Sequence, residues 1–487
     1  MAPFRDLHEF IAALEERGWL KRIKAKVSPY LEIAEITDRV SKMPGGGYAL
    51  LFENVEGSEF PVLTNAFGSM ERICLALGVP HLDALGDKIR ELLRLPTAGG
   101  GSFLEKLSQG MKLMEMAKST QPRLVSRAPC QEVVMTEPDL TKLPILTTWP
   151  KDGGPFITLP SVITKDPKTG VRNIGMYRMQ VYDKRTTGMH WHKHKDGQRH
   201  YDGYQGKMPV AVALGGDPVT IYSGSAPLPP MIPELMFAGF IRGEGVELVK
   251  CKTVDLEVPA HAEFVIEGYV DTTEPLRPEG PFGDHTGFYS PVEPYPVFHV
   301  TCITHRKDAI YPATVVGKPP QEDYYLGKAT ERIFLPLLQM VAPEIIDYNM
   351  PAAGVFHNCV LVKIRKRYPG QARKVVYALW GLGLMMLTKT IVVVDEHIDL
   401  NDYNEVFWYV AGNIDPKRDV FFAEGPLDDL DHASPVWRYG SKMGIDATRK
   451  LPEEGHPRPW PEEIVMSPEV KDLVTRRWSE YGLPPLK

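Results

Sequence analysis

The sequence predicts a multidomain α/β protein whose central part is rich in β-strands. A chain of 487 residues is too long for one small hydrophobic core, so two or three domains are expected. Helical and strand periodicities alternate near both ends of the chain, which is typical of α/β domains. Between about residues 130 and 312, short apolar runs are separated by Gly, Pro and Asp, which predicts a barrel-like β-rich unit.

The N-terminal α/β domain is predicted to span residues 1–118 and to open in the order helix, strand, helix, strand. In "DLHEFIAALEERG" the apolar side chains fall on one helical face, with Asp6 and Glu9 as a variant capping box and Gly18 as the stop. "WLKRIKAKV" alternates as a strand, "LEIAEITDRVSKM" is a second helix and "YALLFENV" is a buried strand. We expect "PTAGGGS" (96–102) to be a flexible loop and a polar helix after it to close the domain.

The central domain is predicted over residues 119–312 as a β-rich, split-barrel-like unit. Five apolar runs are expected to be strands: "SVITKD", "NIGMYRMQVYD", "MPVAVALGG", "AEFVIEGYV" and "PVFHVTCITHR". In "PPMIPELMFAG" (229–239) the sequence indicates an apolar helix with Glu234 in its first turn, where a carboxylate ordinarily complements the helix dipole.

The C-terminal domain is predicted over residues 313–487 as a second α/β unit. "CVLVKI" and "TIVVVD" are expected to be strands, and "GQARKVVYALWGLGLMML" and "DYNEVFWYVAG" helices, in a βαβα unit with parallel strands. From about residue 425 the chain is rich in Pro, Asp and Trp, which predicts an oligomerisation tail that wraps a neighbouring subunit. The tail is expected to end in a short helix, "PEVKDLVTRRWSEYG".

Composition and absent motifs narrow the class of protein. The formal net charge is −6, whereas a general nucleic-acid binder is usually basic, so no nucleic-acid partner is expected. The sequence contains no run of about 18 apolar residues, the length that a membrane-spanning helix requires. The segment "MAPFRDLHEF" lacks the apolar core of a secretory signal. The five cysteines are scattered without a CxxC pair, which is typical of a reducing compartment. We therefore expect a cytoplasmic protein. The sequence contains no Walker loop, GxSxG motif or HExxH motif that would indicate its chemistry.

The stretch "MHWHKHKDGQRHY" (189–201) concentrates histidines and cations. Its alternation predicts a strand with His190, His192 and His194 on one face and Trp191 on the other. Such a face is typical of a metal site or an anion-binding surface, and an exposed hairpin tip is the alternative. The flanking Lys and Arg side chains would repel a divalent ion unless a phosphate lay between the ion and these cations. A phosphate bound to a metal therefore accounts for both the histidines and the cations.

Two carboxylates lie close together in the Gly/Pro-rich segment "RPEGPFGDHTGFY" (277–289). Glu279 and Asp284 precede a predicted strand, and proximity of two like charges raises one of the two pKa values, as a general acid requires. A turn with two solvated acids is the alternative interpretation.

Taken together, these segments resemble the UbiD family of decarboxylases that use prenylated FMN. The resemblance is carried by "NIGMYRMQVYD", "MHWHKHKDG", "PELMFAGFIRG" and above all "EGPFGDHTGFY", in this order, and it extends over essentially the whole chain. It is greatest for the branch that contains 4-hydroxy-3-polyprenylbenzoate decarboxylase of ubiquinone synthesis. The resemblance implies a carboxy-lyase with a flavin-binding central domain, which reversibly and non-oxidatively decarboxylates an aromatic or α,β-unsaturated carboxylic acid.

The resemblance also implies the site residues. By position, the ligands of a divalent metal, typically Mn2+, are Asn173, His194 and Glu234, and this ion holds the phosphate of prenylated FMN with K+ close by. The catalytic set is Arg178, Glu279 and Asp284, where Asp284 stands in place of the Glu of some members. Besides the metal ligands, the residues expected to contact the cofactor are Met176, Tyr177, Arg178, His190, Trp191, His192, Lys195 and Asp196.

In this interpretation Arg178 orients the substrate carboxylate and pairs with Glu279, while Asp284 donates a proton after carbon dioxide leaves. An acid beside an apolar substrate is expected to have a pKa raised toward neutrality. The flavin is the electron sink that side chains cannot supply. Asn173 and Arg178 would lie on opposite faces of a regular strand, so we expect a bend or bulge at Gly175.

The resemblance further implies a homo-oligomer, either a dimer or a hexamer, and a flavin prenyltransferase that supplies the cofactor. Three alternatives stand against this interpretation. A His-cluster metallohydrolase would bind zinc without flavin, and a non-catalytic flavin-binding protein would not need Glu279 and Asp284. An oligomeric scaffold has only the C-terminal tail in its favour.

Overall fold

The computed structural model of the chain describes residues 4–94, 118–193, 195–228 and 232–485. The predicted loop at 96–102, the polar helix after it and His194 lie outside these residues. The described α-helices are Leu7–Glu16, Glu32–Ser41, Met70–Ala76, Asp83–Arg94, Asp196–Gly203, Pro218–Ser223, Glu234–Arg242, Glu322–Val341, Gln371–Trp380, Tyr403–Asn413, Pro416–Asp419 and Pro468–Arg476.

The strands form three larger sheets and three small ones. Their bounds, in chain order, are Leu20–Val27, Ala49–Val55, Val62–Thr64, Arg123–Leu124, Val133–Met135, Phe156–Ile157, Pro160–Lys165, Arg172–Gly175, Met179–Gln180, Thr186–Gly188, Lys207–Leu214, Glu247–Lys250, Glu257–Pro259, Phe264–Asp271, Arg277–Glu279, Glu293–Tyr295, Val297–His305, Tyr311–Pro312, Ile345–Asn349, Cys359–Ile364, Thr390–Asp395, Val420–Pro426 and Tyr439–Asp446.

The N-terminal order of helix, strand, helix, strand is confirmed. Helix Leu7–Glu16 buries Leu7, Phe10, Ile11 and Leu14 on one face, and the Asp6 carboxylate accepts a hydrogen bond from the Glu9 amide at 3.0 Å. Strands Leu20–Val27 and Ala49–Val55 pair in parallel in a four-stranded sheet. The last strand of this sheet, Tyr311–Pro312, comes from the end of the predicted central domain.

The central sheet has seven strands, and its neighbours along the main path pair antiparallel. Within the described residues no pairing joins its two ends, so the sheet is open there. Four of the five predicted runs form single strands of this sheet, while "NIGMYRMQVYD" divides into Arg172–Gly175 and Met179–Gln180. The segment is therefore interrupted after Gly175, where a bend is expected if Asn173 and Arg178 serve one site.

The strand expected for "MHWHKHK" is wrong. The strand before it ends at Gly188, residues 189–193 have no strand pairing, and helix Asp196–Gly203 follows. The alternating side chains of this stretch contact different partners. The stretch also lacks β-branched residues and, within the described residues, has no neighbouring strand with which it could form a β-ladder.

The C-terminal segment forms a five-stranded sheet with the predicted βαβ unit at its centre. Cys359–Ile364 and Thr390–Asp395 pair in parallel across helix Gln371–Trp380, which is shorter than expected because the chain turns at Gly381 and Gly383 into a 3-10 helix. The start predicted for the tail, at about residue 425, is too early. Residues 420–446 form an antiparallel strand pair within this sheet, whose Gly- and Lys-containing second strand lacks a clear apolar pattern.

The hydrophobic clusters group the described residues differently from the β-sheets. Two hydrophobic clusters combine N-terminal and central residues with residues 313–333 of the following segment, whereas two others contain only residues from 335 onward. The site described below lies where loops of the central part of the chain contact this C-terminal unit. The described part of the chain contains no helix long and apolar enough to cross a membrane. The boundaries at 118/119 and 312/313 remain predictions.

Candidate active site

The break after Gly175 redirects the chain toward the centre of the site. A Cβ atom at Gly175 would lie 2.3 Å from the Tyr177 ring, so only glycine allows this ring to fold back over the strand end. Tyr177 is buried, and its hydroxyl accepts a long hydrogen bond of 3.4 Å from the Gly197 amide. Burial raises the pKa of Tyr177 to about 12. Arg178 follows this turn, so its side chain does not follow the alternation of strand faces that applies to Asn173.

Arg178 forms a buried junction with both predicted catalytic acids. Its Nε atom donates to Glu279 Oε1 at 3.0 Å, its Nη1 contacts Asp284 Oδ2, and its Nη2 donates to Ser290 Oγ at 3.1 Å. The Arg178 side chain is 10% exposed, and the Phe282 ring lies 4.9 Å from its guanidinium carbon. One cation thus holds two carboxylates away from solvent, an arrangement in which removal of any member is costly.

Glu279 is also bonded to His190. Nδ1 of His190 lies 2.9 Å from Glu279 Oε2, and the His190 ring packs on Tyr295 with 4.1 Å between centroids. Burial and the Arg178 charge lower the pKa of His190. Burial alone would raise the pKa of Glu279, but the His190 hydrogen bond and the Arg178 charge hold it below its usual value.

The expectation of a raised pKa for Asp284 is wrong for the protein without substrate. Burial does raise it, but the hydrogen bonds from His285 and the charge of Arg178 outweigh burial and hold the pKa of Asp284 well below its usual range. Both carboxylate oxygens of Asp284 contact cations or N–H donors. Asp284 is therefore an ionised carboxylate in this state.

His285 and His357 form a pair that links the loop between strands Arg277–Glu279 and Glu293–Tyr295 to the C-terminal unit. The Nε2 atoms of the two rings lie 2.8 Å apart, and His285 Nδ1 lies 2.9 Å from Asp284 Oδ1. Burial opposes the charge on His285, but the adjacent Asp284 carboxylate raises its pKa to about 9. Burial and the His285 charge lower the pKa of His357 to about 4, against the attraction of Asp428. Sequence reasoning missed this pair.

The loop that carries Asp284 is fixed from the other side by Asp152 and Trp149. Asp152 Oδ1 accepts the Gly283 amide at 2.8 Å, and Trp149 Nε1 donates to the Val316 carbonyl at 2.9 Å. A Cβ atom at Gly283 would lie 2.1 Å from the Trp149 ring. These contacts hold the acid at one position relative to Arg178.

Asn173 and Glu234, two of the predicted metal ligands, converge from different elements. Strand Arg172–Gly175 carries Asn173, and Glu234 begins helix Glu234–Arg242, as predicted. Glu234 Oε2 accepts the Ile174 amide at 3.1 Å, which fixes the carboxylate beside the Asn173 backbone. Burial raises the pKa of Glu234 to about 7. Asn173 Nδ2 is buried and has no hydrogen-bond partner among the described residues.

The histidine stretch does not present one common face. His190 contacts Glu279, whereas His192 Nε2 lies 3.7 Å from Asp429 Oδ2 of the C-terminal unit. Trp191, between these two histidines in the sequence, is buried, and its ring centroid lies 5.4 Å from that of Tyr201. The premise of a three-histidine metallohydrolase is therefore wrong for His190 and His192.

Of the remaining predicted cofactor residues, Lys195 and Asp196 lie near Glu234. Lys195 caps helix Asp196–Gly203, and burial lowers its pKa against the attraction of Asp196 and Glu234. Asp196 Oδ1 lies 3.0 Å from Arg199 Nη1. The Met176 amide donates to the Gly224 carbonyl at 3.0 Å. The structure thus contains a buried acid–guanidinium cluster around Arg178 and a second group of polar side chains, Asn173, Asp196 and Glu234, near Tyr177.

Sequence reasoning also missed Ser290 and Tyr295. Ser290 lies five residues beyond His285, and its hydroxyl bridges Arg178 and the Phe282 amide, both at 3.1 Å. His285 stood within the motif that carries the resemblance, so its position beside Asp284 was an available signal. His357 had no such signal, since 72 residues separate it from His285.

Three family models match the chain in order. They are the 3-octaprenyl-4-hydroxybenzoate carboxy-lyase N-terminal domain over residues 11–92, the Rift-related domain over 123–319 and the C-terminal domain over 324–447. An uncharacterized protein of Aquifex aeolicus is 55% identical over 486 residues, which cover 99% of both chains.

Solved structures of UbiD-class enzymes have the same fold. HmfF from Pelotomaculum thermopropionicum in complex with FMN has a TM-score of 0.79 at 30% identity, over 96% of this chain and 98% of its own. An evolved dimeric form of HmfF was solved with prFMN, the prenylated flavin. Vanillic acid decarboxylase from Sedimentibacter hydroxybenzoicus in its closed form has a TM-score of 0.83 at 27% identity, over 99% of each chain.

Proposed function

The chain belongs to the UbiD family of carboxy-lyases, and from this premise we propose that it uses prenylated FMN to decarboxylate an aromatic or α,β-unsaturated carboxylic acid reversibly and without oxidation. The observation that carries the proposal is the buried contact of Arg178 with Glu279 and Asp284. A guanidinium held between two acids can exchange one of them for the carboxylate of a substrate. Among candidate acids, 4-hydroxy-3-polyprenylbenzoate is favoured by the resemblance.

The residues beside Tyr177 fit a phosphate-bearing cofactor held by a divalent ion. Glu234 is a partly buried carboxylate that forms no ion pair within the described ranges, and Asn173 is a buried amide whose Nδ2 has no partner there. Oxygen donors of this kind together with an imidazole suit Mn2+. Asn173, His194 and Glu234 would hold the ion, Lys195 would neutralise phosphate charge, and K+ would bind nearby. The cofactor contacts of Met176, Tyr177, His190, Trp191, His192 and Asp196 are part of the same proposal.

Prenylated FMN, when bound, would supply the electron sink that breaking the bond to carbon dioxide requires. Arg178 binds and orients the substrate carboxylate, and Glu279 with His190 keeps the guanidinium in place. Because three carboxylates cannot all remain ionised around one guanidinium, substrate binding favours protonation of Asp284. Asp284 then places this proton on the carbon that has lost carbon dioxide.

The test is carbon dioxide release by cofactor-loaded protein. The chain is co-expressed with a flavin prenyltransferase, purified without oxygen and incubated with benzoate, 4-hydroxybenzoate, 4-hydroxy-3-prenylbenzoate, cinnamate and furan-2-carboxylate. We expect flavin absorbance in the purified protein and carbon dioxide from at least one acid. Flavin-loaded, metal-loaded protein that releases carbon dioxide from none of them would contradict the proposal.

The assembly proposed for the chain is a homo-oligomer built through its C-terminal tail. Helix Pro468–Arg476 contains no buried residue, and Ile464, Val465 and Met466 before it are exposed. A short helix with an exposed apolar face gains little stability in water without a packing surface. Light scattering of the full chain distinguishes a monomer from a dimer or hexamer.

A further inference from the structure

We propose that His285 stores the proton that Asp284 delivers to the product, and that His357 is a positioning residue which holds the His285 ring in line. This inference deepens the proposed decarboxylation and rests on it. It adds two residues to the reaction, one from the loop that carries Asp284 and one from the C-terminal unit.

The first support is the geometry between Asp284 and His285. Asp284 Oδ1 accepts both the His285 backbone amide at 2.7 Å and the ring at Nδ1, 2.9 Å away. Asp284 Oδ2 contacts Arg178. An acid with these neighbours is ionised before substrate binds, so the proton it must deliver has to reside elsewhere. His285 Nδ1 is the titratable donor in contact with it.

The second support is the His285–His357 contact. Two imidazole nitrogens 2.8 Å apart share one proton, so one ring donates and the other accepts. His285 lies nearer to Asp284 and has a pKa of about 9, whereas that of His357 is about 4. His285 is therefore an imidazolium that donates from Nδ1 to Asp284 and from Nε2 to neutral His357.

The charges around the pair favour one stored proton. His285 faces Asp284, Asp323 and Asp428 as well as His357. His357 faces the same Asp284 and Asp428, with the His192 ring also nearby. Acids on three separate segments thus surround His285, while the adjacent imidazolium keeps His357 neutral.

The backbone before His357 is held in an uncommon conformation. Val355 and Phe356 have positive φ angles of 52° and 41°, which β-branched and bulky residues rarely adopt. The Phe356 ring stacks on His285 at 5.3 Å. A strained segment whose two successive side chains contact one imidazole is consistent with a positioning role for His357.

The proton balance needs no further reactant. Loss of carbon dioxide leaves an electron pair on carbon, and this pair takes the proton of Asp284. Asp284 receives that proton from Nδ1 of His285, which becomes neutral and keeps its Nε2–H bond to His357. One proton from solvent restores the imidazolium after the product leaves.

The first arm of the test locates the proton in the full chain without cofactor. Protein labelled with 15N-histidine is titrated by NMR, and His285→Asn identifies the His285 signals. Asn retains a donor at the Nδ1 position but cannot ionise. We expect an imidazolium at pH 7.5 whose titration midpoint lies near 9 and falls in His357→Leu. A neutral His285 at pH 7.5 would overturn the proposal whatever the enzyme assay gives.

The second arm uses cofactor-loaded protein and an acid from which the wild type releases carbon dioxide. His285→Asn should lower kcat by about 100-fold at unchanged KM and flavin content, as expected for loss of a proton donor. His357→Leu should also lower kcat, whereas His357→Gln should retain most activity because its amide oxygen can accept from Nε2. His432→Gln is the matched control, because it alters another contact between the C-terminal unit and the same loop, the packing of His432 on Phe288.

The outcomes separate the two proposals. No carbon dioxide from wild type contradicts the proposed function and removes the catalytic role of His285. Active wild type with an equally active His285→Asn variant contradicts the proton store alone. Equal losses in His357→Leu and His357→Gln contradict the positioning role of His357.

Discussion

Arg178 Nε lies 3.0 Å from Glu279 Oε1 although 101 residues separate them in the chain. The same guanidinium contacts Asp284, so a single side chain joins the turn after Gly175 to the loop after strand Arg277–Glu279. This junction brings together the residues on which the proposed chemistry depends.

Replacing Arg178 with lysine should lower kcat/KM by about 100-fold, the loss typical of one removed transition-state donor. A lysine ammonium cannot bridge two acids and a substrate carboxylate with a planar fork. Carbon dioxide release at several substrate concentrations measures the effect. Arg22→Lys is the control, since Arg22 bridges the exposed Glu15 and Glu53 away from the site. Full activity of Arg178→Lys would exclude the proposed substrate contact.

Replacing Glu234 with glutamine should reduce the metal and flavin content of the purified protein. The amide keeps the shape of the side chain but removes the negative charge that binds a divalent ion. Metal analysis and the flavin absorbance are measured on the same sample. Glu244→Gln, which alters an exposed acid just after the same helix, should retain both. Unchanged metal content in Glu234→Gln would remove Glu234 from the ligand set.

Replacing Gly175 with alanine should destabilise the fold by about 1–3 kcal/mol, as overpacking typically does. The added methyl group would overlap the Tyr177 ring, which lies 2.3 Å from the ideal Cβ position. Denaturant unfolding midpoints measure the change. Gly412→Ala, within helix Tyr403–Asn413 and facing open space, should not be destabilised. Equal midpoints for the two variants would show that Tyr177 can move away without cost.

The stability of the protein should fall between pH 6.5 and pH 9 through His285. Its pKa is raised from 6.5 to about 9 in the folded chain, so its contribution is fully present below pH 6.5 and is lost as the pH rises through 9. The shift corresponds to about 3 kcal/mol. His285→Asn should show a smaller fall in unfolding midpoint over this range than the wild type. Parallel curves for the two proteins would contradict the raised pKa.

Local periodicity was sufficient to predict much of the fold. The face formed by Leu7, Phe10, Ile11 and Leu14 gave the first helix, and the apolar runs gave the central strands. The break after Gly175 followed from the resemblance and the spacing together, since the resemblance assigns Asn173 and Arg178 to one site and two residues five apart cannot share one face of a strand. In these regions burial of one face determines the local structure.

Other features depend on contacts between distant segments. The alternation in "MHWHKHK" resembles a strand, but His190 and His192 have separate partners, Glu279 and Asp429. The low pKa of Asp284 requires knowledge of the Arg178 and His285 positions. The His285–His357 contact joins two units whose packing no local pattern encodes.

The central claim is that Asp284 supplies the proton that replaces carbon dioxide. The most direct measurement is turnover of a reactive acid in D2O by flavin-loaded wild type and Asp284→Asn, with Asp87→Asn, an exposed acid on helix Asp83–Arg94, as the control. We predict one deuterium at the vacated carbon with wild type and the control, and no product with Asp284→Asn at unchanged flavin and metal content. Product formation by Asp284→Asn at the wild-type rate would contradict the claim.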